Sequence, residues 1–180
     1  MSLPLAPKGF IPVGDSYHSL VPVYMPGKDQ GDSAAAGYPG DLVVAVAAGP
    51  RILKSDTDTA QVKVLGVLQN YIPSGTSDAW YSLISPRGLF MCQCGAPTSS
   101  VTWANADIGL GVDLTCSTAA DTTALISKTS VLGKEGTNSV AIFMGIAPML
   151  GNDNTVSASN YPWLLLRFLP SIVFPYDNDI

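Results

Sequence analysis

The chain of 180 residues suffices for one domain with a single buried core, and its composition is apolar: 47% hydrophobic against 13% charged, about half the charged share usual in a soluble chain. Nine basic and 14 acidic residues give a formal net charge of -5 with no run of Lys or Arg, which excludes the electrostatic footprint that direct nucleic-acid binding requires. A surface so poor in charge is expected to be covered by partners or by other copies of the chain.

The N-terminus, MSLPLAPKGF, carries prolines where a signal peptide keeps an apolar helix, and no segment approaches the roughly 20 continuous apolar residues of a membrane helix. Synthesis and retention in a reducing cytoplasm, or in a particle assembled there, without membrane attachment, is therefore expected. The odd cysteine count fits this, and Cys92 and Cys94, two apart, are expected on one side of a strand as small buried residues.

Residues 1–39 differ in character from the rest of the chain. Pro4, Pro7, Pro12, Pro22, Pro26 and Pro39 recur among glycines, and each proline removes a backbone donor and fixes φ, which rules out a helix or a central strand. An extended N-terminal arm is expected. Its Leu3, Leu5, Phe10, Ile11, Tyr17, Leu20, Val21 and Tyr24 are too many apolar residues for a solvated linker and should dock on a surface, either of the same domain or of a neighbour.

Residues 40–180 are expected to form the core domain with a short acidic tail. Gly40-Asp41 opens it, followed by a strand over Leu42 to Ala47, a turn at Gly49-Pro50, and a short strand over Arg51 to Lys54. From Gln61 to Cys94 three consecutive strands are expected, rich in β-branched and bulky residues and broken first at Pro73 to Ser77. Ser85-Pro86-Arg87-Gly88 has type I turn chemistry, so the strands flanking it are expected to pair antiparallel as part of a meander. Residues 96–104 read as a loop anchored by Trp103.

The pattern then recurs. Ala106 to Leu114 echoes the strand that opens at Gly40-Asp41, Thr123 to Lys128 echoes Arg51 to Lys54, and Val140 to Pro148 echoes Val62 to Asn70. Trp163 to Leu169 echoes Trp80 to Ile84. Gly66 and Gly145 each interrupt an apolar run, where a glycine marks a bulge, and the echo places these bends at equivalent points of the two halves. Helical periodicity is nearly absent, so the expected architecture is all-β, a small β-barrel or β-sandwich with the proline-rich arm.

No catalytic, cofactor or metal residues are expected. Cys92, Cys94, Cys116 and His18 lack the paired spacing of a structural zinc site. The single histidine, His18, sits in the arm, a poor place for a general base. Asp56, Asp58, Asp78, Asp113, Asp121 and Asp153 fall mostly in turns or at strand ends, where Asp bonds the backbone. Trp80, Trp103 and Trp163 form a conceivable sugar platform, but Trp80 and Trp163 open apolar runs and read more simply as core or interface anchors.

Residues 40–170 resemble the decoration, or cement, proteins of tailed-bacteriophage heads. The resemblance lies in the opening Gly40-Asp41-Leu42-Val43-Val44, the glycine-centred Leu65-Gly66-Val67-Leu68 and a hairpin expected across a Gly turn at Ser85 to Phe90. A second Asp-led strand, Asp107 to Leu114, and Gly145-Ile146-Ala147 complete it, while the long arm departs from the shortest members. The resemblance implies a β-tulip-like, non-enzymatic protein of the virion exterior, assembled in the host cytoplasm. Its implied partners are the major capsid protein and itself, as a homotrimer or a dimer. The alternative is a receptor- or carbohydrate-binding β module of a phage tail; a hydrolase built on His18 is a third reading.

Overall fold

The computed structural model describes residues 9–14, 20–26, 36–46, 49–52, 63–73, 78–84, 87–95, 102–115, 123, 125–127, 129–135, 139–147 and 161–169, with backbone only at 20–26, 46, 49–51, 78–84 and 135. The strands are β1 (Ile11–Val13), β2 (Leu20–Pro26), β3 (Leu42–Val46), β4 (Gly49–Ile52), β5 (Lys63–Leu68), β6 (Asp78–Ile84), β7 (Leu89–Gln93), β8 (Gly111–Thr115), β9 (Ser130–Glu135), β10 (Ala141–Ile146) and β11 (Trp163–Phe168). Among the described residues helix is confined to a 3-10 turn at Asn105–Asp107 and a single 3-10 residue, Gly14. The protein is all-β, as its β-branched runs and turn spacing predict.

Two antiparallel sheets result, one in the order β1-β7-β11-β10-β8-β9 and the other β2-β6-β5-β3-β4. The proline-bearing strands β1, β2 and β4 all lie at sheet edges, where a missing N–H interrupts no central ladder. Pro50 pairs with Ala45 and Gly49 with Val46, so these two residues begin a strand instead of forming the expected turn.

The expected pairing across Ser85 to Gly88 does not occur. β6 pairs with β2 and β5, whereas β7 pairs with β1 and β11 in the other sheet. The connection crosses between sheets. Type I geometry splays the strands it joins, unlike the primed turns of tight hairpins, so a proline-led type I signal suits a corner better than a ladder.

Both sheets contribute to one large core. Leu42, Val44, Val64 and Val67 of the five-stranded sheet pack with Phe90, Cys92, Val112, Leu114, Val131, Phe143, Leu164, Leu166 and Phe168 of the six-stranded one. Each such side chain contributes roughly 1.5–3 kcal/mol on burial. Val64 and Val67 are three apart, which in a regular strand means opposite faces. A bulge reconciles them: Val43 pairs with Gly66 and Val44 with Val64, leaving Leu65 as the extra residue.

The six-stranded sheet also rolls. Cys94, just past β7, forms a parallel bridge with Val131 of β9, and the Gly95 N–H donates to the Val131 carbonyl at 2.7 Å. Among the described residues neither sheet closes through a continuous ladder.

The echo read from the sequence corresponds to a repeated topology, except that the counterpart of β4 is β9 and not the expected Thr123 to Lys128. β6-β5-β3-β4 and β11-β10-β8-β9 have the same order and the same antiparallel pairings. Leu42 pairs with Val67 as Gly111 does with Ile142, and Val67 with Ile84 as Ile142 does with Arg167. Counting four residues back along β6 and β11 then brings Trp80 and Trp163 to equivalent positions. The glycines are not equivalent, because this register matches Gly66 to Ala141. Both adjoin bulges, but the β5 bulge faces β3, and the β10 bulge, with Met144 as the extra residue, faces β11.

Candidate interaction surface

Two turns precede the equivalent strands β3 and β8. In Tyr38-Pro39-Gly40-Asp41 the Asp41 N–H donates to the Tyr38 carbonyl at 3.0 Å, and in Asp107-Ile108-Gly109-Leu110 the Leu110 N–H donates to that of Asp107 at 2.9 Å. Gly40 and Gly109 have φ of +93° and +95°, and Ile108 has φ -58° and ψ 126°. These are type II values, for which glycine is the natural third residue and proline a natural second. Each turn is held against the neighbouring strand by a matching pair of bonds. Gly40 donates to Leu68 and Leu68 to Asp41; Gly109 donates to Phe143 and Phe143 to Leu110, all at 2.8–2.9 Å.

The surroundings of the two turns differ. At the first, Phe10 N–H donates to the Gly40 carbonyl at 3.0 Å and Ser127 N–H to the Pro39 carbonyl at 3.1 Å. Gly9 passes so close that a Cβ there would lie 2.5 Å from the Gly40 oxygen. Asp41 is buried beneath, its carboxylate accepting the Tyr38 N–H at 2.9 Å. At the second turn, Ile108 is 50% and Leu110 46% exposed, and nothing lies within 4 Å of a Cβ built on Gly109.

The second turn is nevertheless firmly held. Trp103, 1% exposed, packs its ring against Phe143 at 4.7 Å between centroids. Lys134 Nζ lies 5.7 Å from the same ring and 2.8 Å from the Asp107 carboxylate, which also accepts the Ala104 N–H at 2.8 Å. The Lys134 ammonium, then the Ala104 amide, hold the Asp107 carboxyl below its ordinary pKa. An apolar tip on a preorganised base loses little entropy on binding, and this arrangement suits recognition of another polypeptide.

Of the arm residues expected to face a partner, Phe10 is buried in the chain's own core against Phe90 and Phe168, with ring centroids 6.2 and 5.0 Å away, which leaves a partner no ring surface. Ile11 pairs with Met91 and packs beside Leu165 and Trp163. Leu20, Val21 and Tyr24 lie on β2, whose backbone pairs with β6; Leu3, Leu5 and Tyr17 lie outside the described residues.

Cys92 and Cys94 are buried and in no disulfide, as their strand spacing predicts, while Cys116 and His18 lie outside the described residues. Among the described residues no three His, Cys, Asp or Glu side chains group as metal ligands. Asp78 and Asp113 lie in different sheets, and Asp56, Asp58, Asp121 and Asp153 are outside the described residues. Trp103 and Trp163 are buried, which removes both as stacking platforms for a sugar; of Trp80 the backbone alone is described.

Sequence reasoning aligned Asp41 with Asp107, whereas the ladders align Asp41 with Leu110. The signal that marks the true register is Pro39-Gly40 against Ile108-Gly109, two second-and-third turn pairs. No family model, curated protein or solved structure matches the chain.

Proposed function

We propose that the protein is a structural component of a phage virion that binds the outer surface of the capsid and stabilises contacts between capsomers. The observation that carries this reading is the combination of a charge-poor all-β body with an exposed apolar turn on a rigid base, which suits protein binding. The motif resemblance over residues 40–170 supplies the capsid as the surface. In this reading the two sheets form a β-tulip-like sandwich, assembled with the head in the host cytoplasm and associating with itself as a trimer. Leu3, Leu5, Tyr17, Leu20, Val21 and Tyr24 are the arm residues proposed to touch the major capsid protein or a sister subunit. Residues 40–180, joined in the two sheets by β1 and β2, form the body, and no cofactor or catalytic step enters.

The test is a low-resolution image of purified virions labelled with an antibody against this protein. Label distributed over the head supports the reading; label confined to the tail replaces it with the receptor- or carbohydrate-binding alternative. That alternative keeps one feature, the exposed Tyr71 beside Asn70.

A further inference from the structure

We infer that the turn Asp107-Ile108-Gly109-Leu110 binds an extended apolar segment of a partner polypeptide other than a second copy of this chain. The inference rests on reading this turn as a binding surface, and the repeat within the fold supplies the chemistry of the occupant. At the equivalent first turn, the carbonyls of residues 39 and 40 are both capped by backbone N–H groups of crossing segments, from Ser127 and Phe10. At the second, the matching carbonyls of Ile108 and Gly109 accept no hydrogen bond among the described residues. The side chains there are Ile and Leu in place of Pro and Asp, so the uncovered copy is also the more apolar one.

A segment like Gly9-Phe10 fits both features: glycine permits close backbone approach, the following N–H meets the carbonyl, and flanking apolar side chains cover Ile108 and Leu110. The partner is a different chain because this chain's own Gly9-Phe10 is engaged at its own first turn and its Phe10 ring in its own core. The Lys134–Asp107 pair neutralises the carboxylate at the turn's base, so recognition runs through backbone and apolar contacts.

The experiment uses the full-length protein and a fluorescent peptide of residues 6–13, APKGFIPV, as the probe, with Leu110→Asp and the milder Ile108→Ser as variants. Both positions are exposed, and circular dichroism checks that the fold is kept. The expected result is saturable binding to the wild type, weakened at least tenfold by Leu110→Asp and severalfold by Ile108→Ser. Absence of binding at millimolar peptide, or binding unchanged by both variants, overturns the site. Sedimentation supplies the second arm: an unchanged oligomeric state in Leu110→Asp supports a different chain as partner, and dissociation of an assembly in that variant overturns this. Because no heads are used, failure here leaves the capsid reading standing, and success here does not depend on it.

Discussion

Replacing Phe10 with Ala separates an arm that belongs to the fold from one that serves only as an anchor. Phe10 is 2% exposed and forms a three-ring cluster with Phe90 and Phe168, whose own centroids are 5.2 Å apart. Truncating a buried Phe to Ala removes its transfer energy and leaves a cavity, together about 3–5 kcal/mol. The two ring contacts Phe10 makes fall within that sum. In a chain of this length each kcal/mol lowers Tm by about 2–4 °C, so the variant should melt roughly 6–20 °C below the wild type. Urea melts followed by circular dichroism should show the midpoint falling with the slope m unchanged, the sign of lost stability without a changed unfolded state. A Tm within about 2 °C of wild type would refute the placement of Phe10 in the core, since a cavity of that kind cannot cost so little.

Other outcomes concern the two turns and the buried thiols. Gly109→Ala meets open space and should cost only the positive-φ penalty, about 1–2 kcal/mol, whereas Gly9→Ala adds a backbone clash with Gly40 and should cost about 2–5 kcal/mol; paired urea melts check the order. The depressed pKa of Asp107 makes its contribution present above the ordinary carboxylate value of 3.8 and lost as pH falls through the lower folded value. Trp103 fluorescence should therefore hold steady from neutral pH down to that value and change below it, and Lys134→Ala should move the change to higher pH. Cys92 and Cys94, fully buried, should react with a thiol reagent at the rate of unfolding, read site by site by mass spectrometry; fast labelling in the native state would contradict their burial.

Much of the fold is legible in local chemistry. Strand character, the edge placement of prolines, the inward Cys92 and Cys94 and the burial of Trp103 follow from alternation, missing donors and residue size, all of which act over a few residues. The repeat is legible too, with Trp80 and Trp163 at equivalent positions. What local chemistry does not carry is the choice of partner strand. Ser85 to Gly88 gives a turn but not the sheet on its far side, because that depends on β2 and β11 already occupying the neighbouring edges. Likewise, Asp107 aligned by identity with Asp41 although each makes the same local bond, to the amide three residues back. Only the ladders show that the second half carries an additional turn before β8. The exposed pair Ile108 and Leu110 read as strand interior in the sequence, since both are apolar and alternate with glycine.

The most direct test of the capsid reading is to mix the purified full-length protein with undecorated heads of the phage that this reading proposes as its source and sediment the heads. The account predicts co-sedimentation that saturates at a fixed ratio of copies per capsomer, persists at high salt because the surface is charge-poor, and makes the heads harder to disrupt. Protein that stays in the supernatant at every concentration, or binds without saturating, would contradict it.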